Sequence, residues 1–199
     1  MVKTWQIFIY QDPMNRYEIS CIVLAGGRGK RIRGNDKGLQ PYRNKRLVEH
    51  VIEKISPQVD EIIISANRNL TEYRNLGLPV ITDNNDRFDG PLAGIASALP
   101  GCTHQWVLVV PCDMPDLPEN LVASMWQHTK YSRLVTVSAN NRLQLILLMH
   151  RNLLASINES LGDNQRTVMR WVDSIDHSIV VMDNEPHFHN INTCDDLDA

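Results

Sequence analysis

Residues 19–27 read Ile-Ser-Cys-Ile-Val-Leu-Ala-Gly-Gly, and this stretch decides the fold class of the chain. Six residues form an almost unbroken apolar run, and two successive glycines follow it closely. A strand with one face in water would alternate apolar and polar residues, whereas a strand buried on both faces does not. The stretch therefore predicts a buried β-strand that runs into a glycine-rich loop.

Apolar runs of similar length recur along the chain and alternate with helical patterns. Further strands are predicted at 61–66, 79–82, 106–110, 134–138, 143–149 and 179–182. Helices are predicted at 47–55, 70–76, 91–99, 118–128, 151–161 and 164–172. Residues 139–142 predict a hairpin turn. Strands that alternate with helices indicate βαβ units, so we expect an α/β fold with three layers (α/β/α) and a mainly parallel, Rossmann-like sheet.

The sequence also predicts the domain organisation. The chain has 199 residues, and neither an internal repeat nor a Gly/Ser/Pro-rich linker divides it. We expect an N-terminal extension at 1–18 and a single domain at 19–199, within the usual domain size of roughly 100–200 residues.

Composition excludes several classes of protein. Hydrophobic residues make up 43% and charged residues 22% of the chain, as in ordinary globular domains. The formal charge is −3, which supplies no global attraction to nucleic acid. No apolar run approaches the ~18 residues of a membrane span, and the apolar patch near the N-terminus is too short for a secretory signal. We expect a cytoplasmic protein with neither a nucleic-acid nor a membrane partner.

The four cysteines, Cys21, Cys102, Cys112 and Cys194, show no zinc-site spacing and no C-x-x-C pair. Cys21 and Cys112 lie in apolar runs, where we expect free thiols that pack as small hydrophobic groups.

Four predicted strand ends carry glycines or polar residues: Gly26-Gly27, residues 65–67, Asp83 and Asp113. The carboxyl ends of parallel strands meet at one edge of a sheet, and ligands of such sheets bind there. A shared site at this edge is therefore predicted without reference to any family.

The loop after the first strand has the chemistry of a phosphate-binding segment. Residues 24–37 contain four glycines and five basic residues. Glycines let the backbone approach an anion, and the basic side chains supply positive charge. The P-loop pattern fails because Asn35-Asp36 follows Gly34, and the dinucleotide pattern fails because Ile32 stands where glycine is required. A solvated surface loop is the alternative interpretation.

Four ordered motifs give the chain its resemblance to a known family. They are L-A-G-G-x-x-x-R-x-x-G-x-D-K at 24–37, G-P-L-A-G at 90–94, P-C-D-x-P at 111–115 and N-I-N-T-x-D-D-L at 190–197. Together they resemble the molybdenum cofactor guanylyltransferases of the nucleotidyltransferase superfamily, over about residues 19–198.

The resemblance implies a nucleotide-diphosphosugar transferase type of fold and a Mg²⁺-dependent reaction. Such enzymes transfer GMP from GTP to the terminal phosphate of molybdenum-loaded molybdopterin and release pyrophosphate. Molybdenum-insertion proteins and molybdoenzyme chaperones are the partners it implies besides these two substrates. Both reacting groups are anionic, so the protein must supply positive charge and alignment.

The resemblance also implies roles for individual residues. Lys37 and Arg31 would contact the triphosphate, and Asp113 would hold Mg²⁺, with capping of a following helix as the alternative for Asp113. The nucleotide side would comprise Leu24, Ala25, Gly26, Gly27, Lys37, Asp83 and Asp113. The pterin side would comprise Gln144, Asn190 and Asn192, with a capping role equally open for the two asparagines.

Five positions depart from the family pattern: Ile32, Arg33, Ser65, Leu145 and Cys194. Two other functions stay open. One is a related nucleotidyltransferase that uses CTP or a sugar-phosphate acceptor, and the other is a non-catalytic GTP-binding module that delivers the cofactor.

Overall fold

The computed structural model describes residues 18–26, 36–83, 90–182 and 187–191. The strands are β1 (Ile19–Leu24), β2 (Pro41–Tyr42), β3 (Lys45–Arg46), β4 (Glu61–Ser65), β5 (Val80–Ile81), β6 (Trp106–Pro111), β7 (Leu134–Ala139), β8 (Arg142–His150) and β9 (Ser178–Val181). The α-helices are α1 (Leu47–Ile55), α2 (Leu70–Arg74), α3 (Pro91–Ala98), α4 (Leu121–Trp126), α5 (Leu154–Gly162) and α6 (Val168–Asp173).

Seven of the strands form one sheet in the order β5-β4-β1-β6-β8-β7-β9. Only β8 runs antiparallel to its two neighbours, and the other pairings are parallel. The predicted α/β class with a mainly parallel sheet is therefore confirmed. The strand at 19–24 occupies the third position from the β5 edge, flanked by β4 and β6.

Two apolar clusters cover the two faces of this sheet and make three layers. Cys21 and Val23 of β1 belong to the cluster that includes α1 and α4. Ile22 and Leu24 belong to the cluster that includes α3, α5 and α6. Successive side chains of a strand point to opposite faces, so an unbroken apolar strand supplies both cores.

Helix α1 shows why a segment after the glycine-rich loop becomes helical. Leu47, Val48, Val51 and Ile55 recur at helical spacing and are buried. The Glu49 carboxylate accepts a hydrogen bond from the backbone N–H of Arg46 at 2.9 Å, which caps the first turn.

Several predicted bounds differ from the structure. The helix predicted at 118–128 spans only Leu121–Trp126, and the one predicted at 164–172 begins at Val168. Residues 151–153, predicted as the first turn of a helix, form a separate 3₁₀ turn. The short antiparallel pair β2–β3 was not predicted, because two-residue strands carry no readable alternation.

The predicted turn between the strands at 134 and 149 is confirmed. Ala139 pairs with Arg142, and Asn140 and Asn141 between them have φ angles of +53° and +56°. Two consecutive left-handed residues are the pattern of a type I′ hairpin, for which asparagine is well suited.

The cysteine predictions agree with the structure where it describes them. Cys21, Cys102 and Cys112 are buried free thiols, and Cys194 lies outside the described residues. No helix in the described part of the chain is long and apolar enough to cross a bilayer. Residues 1–17 lie outside the described ranges, so the division at 18/19 stays a prediction.

Candidate active site

The predicted strand ends do meet at one edge of the sheet. The Ala25 N–H donates to the Ser65 carbonyl at 2.8 Å, and the Cys112 N–H donates to the Leu24 carbonyl at 3.1 Å. These bonds join the carboxyl ends of β1, β4 and β6 directly after the last paired residues. Leu24, Ala25 and Gly26 therefore lie between the neighbouring strand ends, as the sequence predicted.

Lys37 and Asp113 form an ion pair at this edge. The Lys37 ammonium lies 2.5 Å from Asp113 Oδ2, and the two side chains are 25% and 17% exposed. Residues 76 positions apart in sequence are brought together because Asp113 follows β6 and Lys37 precedes α1. The structure thus places two of the predicted catalytic residues in direct contact.

The second oxygen of Asp113 is available to a cation. Among the described residues, Oδ1 of Asp113 is buried and accepts no hydrogen bond. A buried carboxylate oxygen without a donor is costly unless another partner satisfies it. Hard cations such as Mg²⁺ prefer carboxylate oxygens, usually one or two together with substrate phosphates. Within the described ranges, no group of three or more His, Cys, Asp or Glu side chains is arranged so that it could hold a metal ion by itself.

The alternative role for Asp113, capping the next helix, does not occur. Helix α4 begins at Leu121, and Asn120 precedes it. Asp113 lies seven positions earlier, in the turn that follows β6.

Asp83, at the end of β5, is oriented by Asn67. The Asn67 amide donates to Asp83 Oδ2 at 2.7 Å, and its carbonyl oxygen accepts from the Asp83 N–H at 2.8 Å. Asp83 Oδ1 faces helix α3, 3.6 Å from the place that a Cβ on Gly94 would take. The sequence predicted Asp83 for the site but not its pairing with Asn67, although the S-A-N strand end already marked that residue.

The G-P-L-A-G motif brings α3 close to the same edge. Gly90 has φ of +87°, and Pro91 takes the first helical position. A Cβ on Gly94 would lie 2.7 Å from Ser65 Oγ, so only glycine allows this approach without movement. The motif is therefore explained by a left-handed residue and by close helix–strand packing.

Asp36 is a further residue at the site, and sequence reasoning gave it no role. The Tyr73 hydroxyl donates to Asp36 Oδ1 at 2.6 Å, and the Asn69 amide donates to Oδ2 at 3.0 Å. Burial raises the pKa of the Tyr73 phenol above its ordinary value, and the nearby Cys112 and Asp36 raise it further. The phenol consequently remains a hydrogen-bond donor. The signal that could have identified Asp36 is that it is an acidic residue inside an otherwise basic segment, which favours a specific partner for its carboxylate.

Ile191, near the start of the C-terminal motif, contacts the candidate site through its backbone. The Ile191 N–H donates to the Asp113 carbonyl at 3.0 Å, and the Ile191 side chain packs with Tyr42 and Leu47. Asn190 is therefore next to a residue that is hydrogen-bonded to Asp113. Gln144 lies at the β7–β8 hairpin, where its amide nitrogen donates to the carbonyls of Ala139 and Arg142 at 3.2 and 3.1 Å.

Some of the predicted residues cannot be placed. Gly27, Arg31 and Asn192 lie outside the described residues, as do Ile32, Arg33 and Cys194.

The mainly parallel sheet thus carries a lysine–aspartate pair at its carboxyl edge, where α/β folds bind their ligands, and the class of enzyme is given by the family that the chain matches. The sequence profile described as "MobA-like NTP transferase domain" matches residues 21–179. The chain belongs to this family, which confirms the resemblance found in its motifs.

Curated relatives and solved structures agree with this assignment. The molybdenum cofactor guanylyltransferase of Yersinia pestis (strain Pestoides F) is 38% identical over 182 residues, which cover 90% of this chain and 93% of the relative. The enzyme of the same name from Cupriavidus pinatubonensis is 38% identical over 190 residues, covering 92% and 96%. The structure of molybdopterin-guanine dinucleotide biosynthesis protein A from Archaeoglobus fulgidus has a TM-score of 0.73 at 22% identity, covering 90% and 95%, and shows the same fold.

Proposed function

We propose that this protein transfers GMP from GTP to the terminal phosphate of molybdenum-loaded molybdopterin, yielding the guanine dinucleotide form of the cofactor and pyrophosphate. The names of relatives that share 38% of its sequence over nearly their whole length support this function. The structural observation that carries it is the Lys37–Asp113 pair at the carboxyl edge of the sheet, together with the buried second carboxylate oxygen of Asp113.

The reaction is an in-line displacement at the α-phosphorus of GTP. An oxygen of the pterin phosphate forms the new P–O bond, while the bond from the α-phosphorus to the bridging oxygen breaks. That oxygen leaves with the electron pair as part of pyrophosphate. Since all groups involved are anionic, catalysis depends on alignment and on neutralised charge.

Lys37 supplies positive charge to this step. A lysine ammonium has three donors, so it can serve Asp113 and phosphate oxygens at the same time. Its contact with Asp113 holds the end of a flexible side chain at the point where the phosphates would lie. Arg31 would add a planar donor fork beside it.

Asp113 would hold Mg²⁺ through its buried oxygen Oδ1, to which no described residue donates a hydrogen bond. When bound, the cation supplies charge neutralisation to the phosphate oxygens at the reacting phosphorus. The residues present fit such a cation, because a single carboxylate joined by substrate phosphates is the usual Mg²⁺ arrangement.

The nucleoside would lie along Leu24, Ala25, Gly26 and Gly27, towards Asp83. A carboxylate can accept hydrogen bonds from guanine N1–H and N2–H, and Asn67 already fixes the plane of Asp83. Ser65, which replaces the asparagine of many members, lies beside Gly94 at this end of the site.

The pterin would lie towards the C-terminal motif, with Asn190 and Asn192 as amide partners for its ring. Gln144 would take part through its carbonyl oxygen, because its amide nitrogen donates to the hairpin carbonyls.

The test is pyrophosphate release from GTP and Mg²⁺, with and without molybdenum-loaded molybdopterin, and with CTP in parallel. We expect release that requires the pterin and prefers GTP. Preference for CTP or UTP would replace the guanylyl assignment with another nucleotidyl transfer. GTP binding without release from any acceptor would instead indicate a delivery module.

A further inference from the structure

We infer that Tyr73 and Asn69 are positioning residues for Lys37: by holding the neighbouring Asp36 carboxylate, they fix the backbone from which the ammonium reaches Asp113. The inference rests on the proposed function for the role of Lys37, whereas the contacts that position Lys37 are all contacts between described residues.

The first support is how completely Asp36 is held. Each of its carboxylate oxygens accepts a hydrogen bond from a different side chain, Tyr73 at 2.6 Å and Asn69 at 3.0 Å. Asp36 is 7% exposed and Tyr73 is fully buried, so water competes little for these bonds. Hydrogen bonds to a buried charged group are among the stronger ones in proteins.

The second support is that the other side of Lys37 is anchored too. The Gln40 N–H donates to the Lys37 carbonyl at 3.1 Å, and the Gln40 amide donates to the Asp36 carbonyl at 2.9 Å. The Val48 N–H donates to the Gly38 carbonyl at 3.0 Å, which ties the turn to α1. The backbone is therefore held on both sides of Lys37: at Asp36 by Tyr73 and Asn69, and at Gly38 by helix α1.

The third support is the close approach of Tyr73 to Gly38. A Cβ at Gly38 would lie 2.5 Å from the Tyr73 hydroxyl and 3.2 Å from Cys112 Sγ. The phenol thus packs against the residues on both sides of Lys37 while bonding to only one of them. Because the backbone is already held at both neighbours of Lys37, only the rotamer freedom of its side chain is lost when the ammonium is ordered.

Tyr73→Phe tests the inference, since it removes one hydroxyl and keeps the buried ring. We expect kcat/KM for GTP to fall about 5- to 50-fold, within the range for a slightly misplaced group. In a Lys37→Ala background the same substitution should have almost no further effect, because Tyr73 acts through Lys37.

Two further variants make the test independent of folding defects. Asn69→Gly removes the amide but keeps the left-handed backbone found at Asn69 (φ +49°), and it should act in the same direction as Tyr73→Phe. Ser20→Ala is the matched control: its buried hydroxyl also donates to a carboxylate, that of Glu61, at the opposite edge of the sheet. It should leave kcat/KM unchanged.

Crystal structures of the wild type and of Tyr73→Phe complete the experiment. We expect the Lys37–Asp113 pair to be broken or displaced in the variant. An intact Lys37–Asp113 pair with unchanged kcat/KM in Tyr73→Phe would overturn the inference. So would an equal fall in kcat/KM when Tyr73→Phe is made in the wild type and in the Lys37→Ala variant. A wild-type protein that neither binds GTP nor releases pyrophosphate would overturn the proposed function instead, while the Lys37–Asp113 geometry would still decide the positioning role.

Discussion

At the scale of single residues, the candidate site at the carboxyl edge of the sheet depends on atoms whose positions are tightly restricted by their neighbours. Asp113 presents one oxygen to Lys37 and keeps the other buried without a donor from the described residues. Gly38 has no room for a side chain between Tyr73 and Cys112. Both features follow from neighbours that are distant in sequence.

Asp113→Ala should leave the fold intact and reduce turnover about 10²- to 10³-fold, the scale for losing one preorganised electrostatic group. Steady-state pyrophosphate release with thermal unfolding measured alongside checks this. Lys37→Ala should weaken GTP binding and slow turnover together, because its charge contacts both the ground state and the transition state. Asp116→Ala is the control, since that carboxylate is close in sequence but pairs with exposed Arg43. Near wild-type turnover in Asp113→Ala would place the metal elsewhere.

Gly38→Ala should lower the free energy of unfolding by about 1–3 kcal/mol, the usual cost of overpacking. The added methyl group would lie 2.5 Å from a phenol that is fully buried and hydrogen-bonded to Asp36. Gly162→Ala at the end of α5 is the control, because nothing lies within 4 Å of its added Cβ. Urea denaturation of both variants measures the difference, and equal midpoints would contradict the packing argument.

At the scale of secondary-structure elements, local backbone chemistry and a polar network hold strands together. The β7–β8 turn uses two asparagines with positive φ. At the opposite edge from the site, the Glu61 carboxylate joins β1 and β4 to the loop before β6, accepting bonds from Ser20 and Thr103.

The hairpin predicts opposite effects for two substitutions at Asn141. Glycine adopts positive φ without strain, so Asn141→Gly should keep or slightly raise stability. Asn141→Ala should destabilise the protein by about 1 kcal/mol, because alanine is strained in the left-handed region. Equilibrium urea unfolding at pH 7 measures both, and the same sign for both would rule out the turn as the cause.

The environment of Glu61 predicts that its contribution to folding stability is lost at acidic pH. Burial alone would raise the pKa of Glu61, but the hydrogen bonds from Ser20 and Thr103 outweigh it and leave the pKa lowered. A carboxyl with a lowered pKa in the folded state stabilises the fold above its unfolded pKa of about 4.3, and this contribution is lost as pH falls through the folded value.

Glu61→Gln should therefore be less stable than wild type near pH 7, and the difference should shrink as pH falls below 4. Urea midpoints at a series of pH values measure this. Glu119→Gln, which removes one negative charge from a side chain that is 86% exposed, is the control for the change in net charge. A constant difference at all pH values would contradict the role given to the Glu61 charge.

At the scale of the whole molecule, the two cores enclose the thiols. Burial is the main reason that the pKa values of Cys21 and Cys112 are raised, and it raises the pKa of Cys102 to about 12. The thiolate is the reactive form, so these groups should be inert in the folded protein.

Iodoacetamide at pH 8 should leave Cys21, Cys102 and Cys112 unmodified in the native protein and alkylate all three in urea. Peptide mass mapping distinguishes the individual sites. Rapid native labelling of Cys112 would show that the turn between β6 and Asp113 opens to solvent.

Much of the architecture could be predicted from local patterns. Apolar runs located the buried strands, and glycine, proline and asparagine located the turns, because these features depend on the chemistry of adjacent residues. Helix ends were less predictable: α4 and α6 are shorter than their apolar patterns, since tertiary packing decides which turns persist.

Sequence by itself determined the fold class and the family, since these depend on periodicity and ordered motifs, and it predicted the edge of the sheet where the candidate site lies. Only the tertiary structure decided that Lys37 meets Asp113, that Asn67 orients Asp83, and that Tyr73 and Asn69 hold Asp36. These pairs lie 16 to 76 positions apart along the chain. Side-chain partners at such separations are set by how strands are ordered and helices packed, and local sequence carries no direct record of that.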